Sequence, residues 1–191
     1  MYWGIALLAV TVSCSSDDND ILPPNGTEVN VLYIQSDNGS SSTAYMYKEN
    51  ETYNPPRCYL GKEIRYNGGN PITLYHMSFG ANIKDSGVFD MLDIGFESDQ
   101  PLSFSDLKEG DTFEVGQFQA HAYYTPTWFE TIMKGTTALS GRVTVVGKKK
   151  TGDKEYMVLH LSNLRFDAID HSCVYSVNGT VEYDILNTSY E

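Results

Sequence analysis

The chain has 191 residues, 13 Lys plus Arg against 25 Asp plus Glu, and a formal net charge of −12. That length fits one domain with a short tail and excludes a many-domain chain. Hydrophobic residues at 41% and charged residues at 20% exclude disorder throughout, and the acidic balance excludes a broad basic face for nucleic acid. The one basic run, Lys148-Lys149-Lys150, lies between Gly147 and Thr151-Gly152-Asp153 and reads as a solvated hairpin loop. Tyr, with 14 copies, dominates the aromatics, and aromatic enrichment favours strands.

The N-terminus carries an address. Met1 to Ser13 is an apolar run, shorter than the ~20 residues that span a bilayer. Its length suits the h-region of a secretory signal, with Ser13 a small residue before the cut. Cys14 follows directly, then Ser15, Ser16, Asp17, Asp18, Asn19 and Asp20. A Cys after a short apolar run and a small residue resembles a bacterial lipobox, whose Cys is acylated and becomes the mature N-terminus. A Cys followed by Ser and an acidic run resembles the surface-export signal of Bacteroides-type lipoproteins. The resemblance implies a signal peptide over 1–13, lipidation at Cys14 and export read from Ser15, Ser16, Asp17, Asp18 and Asp20. It places the protein at the bacterial outer membrane, lipid-anchored and exposed at the cell surface, with the periplasmic face as the alternative. Residues 14–28, with Pro23-Pro24 and Asn25-Gly26, read as an acidic flexible tether, and 29–191 as a single domain.

The domain reads as strands divided by turn residues. Val29 to Gln35 alternates and meets a hairpin signal at Asp37-Asn38-Gly39-Ser40. Thr43 to Lys48 is the next strand, and Asn50 to Pro56 a loop that Pro55-Pro56 keeps out of any ladder. Cys58 to Tyr66 ends at Asn67-Gly68-Gly69-Asn70-Pro71. Ile72 to Ile83 and Val88 to Phe96 are apolar on both faces, so mid-sheet positions are expected. Ser103 to Gly110 is the best helical candidate, capped by Ser105 and ended by Gly110. Thr112 to Tyr124 follows, broken at Gly116, then Thr137 to Gly147, Glu155 to Phe166 and Val174 to Ile185.

Side-chain parity adds detail to the last two. Met157, Leu159 and Leu161 alternate inward, then Leu164 and Phe166 do, so the phase slips at Ser162-Asn163 and predicts a β-bulge. Asn178-Gly179 could turn a hairpin, but that pairing would mix the faces. One continuous strand from Val174 keeps Tyr175, Val177, Gly179, Val181, Tyr183 and Ile185 together. About nine strands without helical crossovers predict an all-β domain, an antiparallel β-sandwich, with a partly closed β-barrel as the alternative. The segments Val158 to Phe166 and Tyr175 to Tyr183 resemble the C-terminal strands of small Bacteroides lipoproteins that carry β-rich domains of unknown function. That resemblance transfers no catalytic residue.

Reaction chemistry is not legible. His76, His121, His160 and His171 show no paired metal-ligand spacing. There is no Gly-x-Ser-x-Gly elbow, no catalytic Cys signature around Cys58 and no phosphate loop. No cofactor is implied. Export permits a disulfide between Cys58 and Cys173, and two buried free thiols are the other reading. The segment His121 to Glu130 reads as a loop around Pro126 that carries Tyr123, Tyr124, Trp128 and Phe129. Exposed, those rings would suit a sugar or a partner protein; buried, they would cap one end of the fold. The reading is a non-catalytic binding module for glycan or surface protein. A fimbria-like structural component, which predicts a long open strand edge, comes second, and a hydrolase third.

Overall fold

Alternating inward and outward residues build eleven strands in the computed structural model, which describes residues 28–47, 57–84, 91–116, 120–125, 136–168 and 170–185. Strand β1 (Val31–Ser36) and β2 (Ser41–Met46) make a hairpin at the expected turn, where Asn38 Oδ1 accepts the Ser40 N–H at 3.0 Å. Strand β3 (Arg57–Asn67) and β4 (Asn70–Lys84) form a long hairpin over Gly68-Gly69. Both glycines have positive φ, 58° and 88°, as a two-residue turn of this twist requires. The chain continues through β5 (Met91–Ser98), β6 (Thr112–Val115), β7 (Ala120–Thr125) and β8 (Thr136–Thr137). It ends with β9 (Ser140–Thr151), β10 (Lys154–Asp167) and β11 (Val174–Asp184).

All eleven belong to one sheet with the order β6-β9-β10-β11-β1-β2-β4-β5-β7-β8. Every pairing along that path is antiparallel. Strand β3 lies off the path, laddered to β4 and touching β11 through one parallel bridge, Arg57 to Asp184. The ends of the sheet approach each other. Gly116 N–H donates to the Ala120 carbonyl at 3.2 Å, joining β6 to β7, and Leu139 N–H donates to the Arg165 carbonyl at 2.7 Å, joining the end of β8 to β10. The result is a nearly closed barrel, so of the two all-β readings the alternative is the one that forms, and the two-sheet sandwich does not. Strand order has no gap at which a second sheet could separate, and closure removes most of the exposed edge.

The interior is filled. Leu32 and Ile34 of β1, Phe79 of β4, Phe96 of β5, Phe166 of β10 and Tyr183 of β11 are buried in one cluster. Phe79 is its hub, with ring centroids 5.2 Å from Tyr183, 5.9 Å from Phe96 and 6.0 Å from Phe104. Phe96 in turn packs on Phe113 at 4.5 Å. Rings from four strands and the 103–110 segment thus meet in the interior, as expected for a barrel narrow enough for side chains to fill. Tyr183 brings a hydroxyl into this apolar cluster, and its Oη is buried without a hydrogen bond. An unpaired buried hydroxyl costs ~1–3 kcal/mol. Tyr183→Phe is therefore expected to hold or raise stability, read as an unchanged or higher midpoint in urea unfolding.

Several local expectations meet their outcome here. The phase slip in β10 is a bulge between Leu161 and Leu164, with Asn163 at φ 50°. Asn178 Oδ1 accepts the Asn163 N–H at 2.7 Å and holds the bulge from the neighbouring strand. Strand β11 runs unbroken through Asn178-Gly179. Ser103 to Gly110 is not a helix but two turns. Ser103 Oγ accepts the Ser105 N–H at 3.1 Å, and Leu107 tucks into the core between the turns. The segment from His121 is not a loop at its start, because Ala120 and Ala122 alternate inward and ladder onto β5 as β7. Ile72 is not mid-sheet either. From residue 62 to residue 73 the β3–β4 hairpin is exposed, an arm extending beyond the Tyr75–Ser98 pair that ends β5.

Candidate functional site

Strand parity places an unusual group on the outside of the barrel. Leu92, Ile94 and Phe96 point into the core, so Asp93, Gly95 and Glu97 of β5 alternate outward. Directly opposed residues share a face. The outward row through Asp93 therefore holds Gly80 of β4 and Tyr123 of β7. The next row holds Tyr59, Ser78, Gly95 and His121, and the third Gly61, His76 and Glu97.

Glycines let the imidazoles lie flat on this surface. A Cβ built on Gly95 would fall 2.0 Å from His121 Nε2, and one on Gly61 would fall 2.2 Å from His76 Nε2. Each ring thus occupies the space a side chain would need. A Cβ on Gly80 would only touch the Tyr59 ring, at 3.9 Å, so no ring takes its place there. The outcome is a face of backbone, two imidazoles and tyrosines around Asp93, with Glu97 in the third row. At the far end Arg65 Nη2 holds Glu97 Oε1 at 3.0 Å and also pairs with Glu63.

Asp93 is the electrostatically unusual point of this arrangement. Its Oδ1 is buried and makes no hydrogen bond. Burial holds its carboxyl above the usual range, while the positive charge that His121 and His76 can carry pulls it back down. A folded-state pKa above the unfolded one means the folded chain binds that proton more tightly. The stability linked to Asp93 is thus fully present below the ordinary carboxylate range and is lost as pH rises through the folded value. Asn cannot ionise. Asp93→Asn is expected to raise the melting temperature at neutral pH, and the gain should fade as the pH falls below the carboxylate range. Thermal unfolding of both proteins across pH checks this.

The residues singled out in the sequence fall unevenly. Tyr123 sits beside Asp93 on the outer face, half-buried. Tyr124 takes the register position opposite Leu92. Trp128 and Phe129 lie outside the described residues, as do Cys14, Ser15, Ser16, Asp17, Asp18 and Asp20. The disulfide reading does not hold, since Cys58 and Cys173 are both buried free thiols. Cys58 adjoins Arg57, which meets Asp184 at one end of β11, and Cys173 precedes Val174 at the other. A strand of that length separates them by roughly 30 Å. A disulfide needs Cα atoms within ~7 Å. Burial, and then the nearby Asp93 charge, push the Cys58 thiol up, so it stays protonated.

Among the described residues no group of three or more His, Cys, Asp and Glu side chains is arranged to hold a metal ion. No described helix is long and apolar enough to cross a membrane. His160, on the outward side of β10, has Nδ1 3.1 Å from Thr180 Oγ1. Asp93 and the two glycine-seated histidines were not among the residues the sequence marked. The one available signal was an acidic residue at the centre of the apolar run Met91-Leu92-Asp93-Ile94. Compared with known proteins, the chain matches no family model, no curated protein and no solved structure.

Proposed function

We propose that this chain is a non-catalytic binding module that takes neutral, hydroxyl-rich saccharides on the outer face of β4, β5 and β7. The observation that carries the reading is the buried, unpartnered Oδ1 of Asp93 beside Tyr123. An ionised carboxylate only accepts hydrogen bonds, so its complement is a donor such as a sugar hydroxyl, which reaches Oδ1 once the side chains that cover it move aside. Tyr123 offers a flat apolar face with a polar tip, the usual partner of a sugar ring's C–H side. The net charge of −12 disfavours polyanionic ligands. The barrel interior is packed with side chains, which leaves the exterior as the place for a ligand.

The N-terminal residues support a lipid on Cys14 that holds the module at the bacterial outer membrane, facing outward. With Cys14→Ser the protein should move from the membrane fraction to the soluble fraction. The binding reading is tested by thermal shift of the full chain against a panel of neutral host and dietary glycans, repeated with Tyr123→Ala and Trp128→Ala. A ligand at ~100 times its dissociation constant adds ~2.7 kcal/mol, a shift of several degrees. A panel that produces no shift overturns the saccharide reading.

A further inference from the structure

The β3–β4 arm leaves a strand edge open. Asn67 and Asn70 flank a two-residue turn, and such a flanking pair is the narrow, hydrogen-bonded one. Pairs alternate from there. The unshifted register back to Arg57 then turns both main-chain groups of Leu60, Lys62, Ile64 and Tyr66 away from β4. Beyond Arg57, β3 has no second ladder partner among the described residues. This edge also shows apolar side chains to solvent, with Tyr66 74% and Ile64 65% exposed. Natural edges of this length are normally shortened, covered or blocked by charge.

We propose that the β3 edge pairs antiparallel with β3 of a second copy of this chain, centred on Ile64. A two-fold axis normal to the sheet keeps each face on its own side, so only residues of equal parity can be opposed. Centring on Ile64 sets Ile64 against Ile64, Glu63 against Arg65 twice, Lys62 against Tyr66 twice, and Gly61 against Asn67. Opposite charges and an apolar pair opposed in this way stabilise a ladder, and Lys over Tyr adds a cation–π contact. Centring on Lys62, Glu63 or Arg65 instead places like charges directly opposite one another. Arg65 is already fixed on the outer face by Glu97 and Glu63 of its own chain, so its guanidinium is held ready for the second Glu63. This inference does not rest on the saccharide site, which occupies β4, β5 and β7.

Sedimentation of the full chain with Cys14→Ser, which prevents acylation, is the test, and a dimer in the micromolar range is expected. Glu63→Arg should weaken it about tenfold or more, as an attractive cross-strand pair becomes repulsive. Adding Arg65→Glu to Glu63→Arg should restore the dimer, which distinguishes a specific register from general loss of fold. In the same background, Ile64→Cys should form a disulfide-linked dimer on mild oxidation, and Lys62→Cys and Glu63→Cys should do so much less. A chain that stays monomeric overturns the proposal and leaves the edge to a strand of a different protein. Equal cross-linking at the three positions, or no rescue by the charge swap, overturns it as well.

Discussion

Gly179→Ala should destabilise the protein by roughly 2–6 kcal/mol, the sum of ~1–3 for a strained backbone and ~1–3 for overpacking. Gly179 lies mid-strand in β11, opposite Leu32 on one side and Leu161 on the other. Its φ is +155°, a conformation that other residues rarely adopt. A Cβ there would fall 2.3 Å from the Val31 carbonyl oxygen and 3.2 Å from the Leu32 Cα. Those are main-chain atoms of β1, so no side-chain rotation relieves the clash, and β1 must be pushed off β11. Small domains are stable by only ~5–15 kcal/mol. The measurement is the urea midpoint, and an unchanged midpoint would show that β11 and β1 do not approach as described.

Phe79→Ala should cost about 3–5 kcal/mol, in the range found for aromatic truncation in packed cores. Phe79 is fully buried, and its ring packs near Phe96 on the adjacent strand, Phe104 in the turn segment and Tyr183 of β11. Removing it opens a void bounded by three walls that cannot all collapse inward, so the cavity contribution stays large. Chemical denaturation with an unchanged m-value and a lower midpoint would confirm the effect. Met77→Ala, also fully buried but outside those ring contacts, should cost less, about 2–4 kcal/mol. A Phe79→Ala loss below 1 kcal/mol would mean that the interior is not filled.

Local features of this fold were legible because they depend on parity. The bulge in β10 follows from the spacing of Leu161 and Leu164, and the continuity of β11 from the faces that a turn at Asn178-Gly179 would have mixed. Closure was not legible. It rests on non-local main-chain bonds such as Leu139 to Arg165, which leave no mark in hydrophobic period. Strand β7 was obscured by its small inward residues, Ala120 and Ala122, which carry a weak apolar signal beside Tyr123 and Tyr124. The Ser103 to Gly110 segment has a helix cap's residue types, yet Ser103 spends its hydroxyl on a turn, and burying Leu107 fixes the chain there. Of the candidate site, Tyr123 was marked in the sequence, but the cluster was not. His76, Asp93 and His121 come from three strands, and only the lateral register across β4, β5 and β7 brings them to one face. The glycines that seat the two rings belong to neighbouring strands, and no spacing along the chain announces them.

A ligand role for Asp93 rests on one carboxylate oxygen kept without a hydrogen bond. The most direct test measures stability and binding in the same two proteins, wild type and Asp93→Asn. Binding is followed by titration calorimetry with the neutral oligosaccharide that gives the largest thermal shift. At neutral pH the two effects should have opposite sign. Asp93→Asn should melt higher because a buried charge is gone, and should bind the oligosaccharide at least about tenfold more weakly, a loss in the range of one hydrogen bond to a charged group. Unchanged affinity in Asp93→Asn, with the fold intact, would contradict it and take the site away from the outer face of β5.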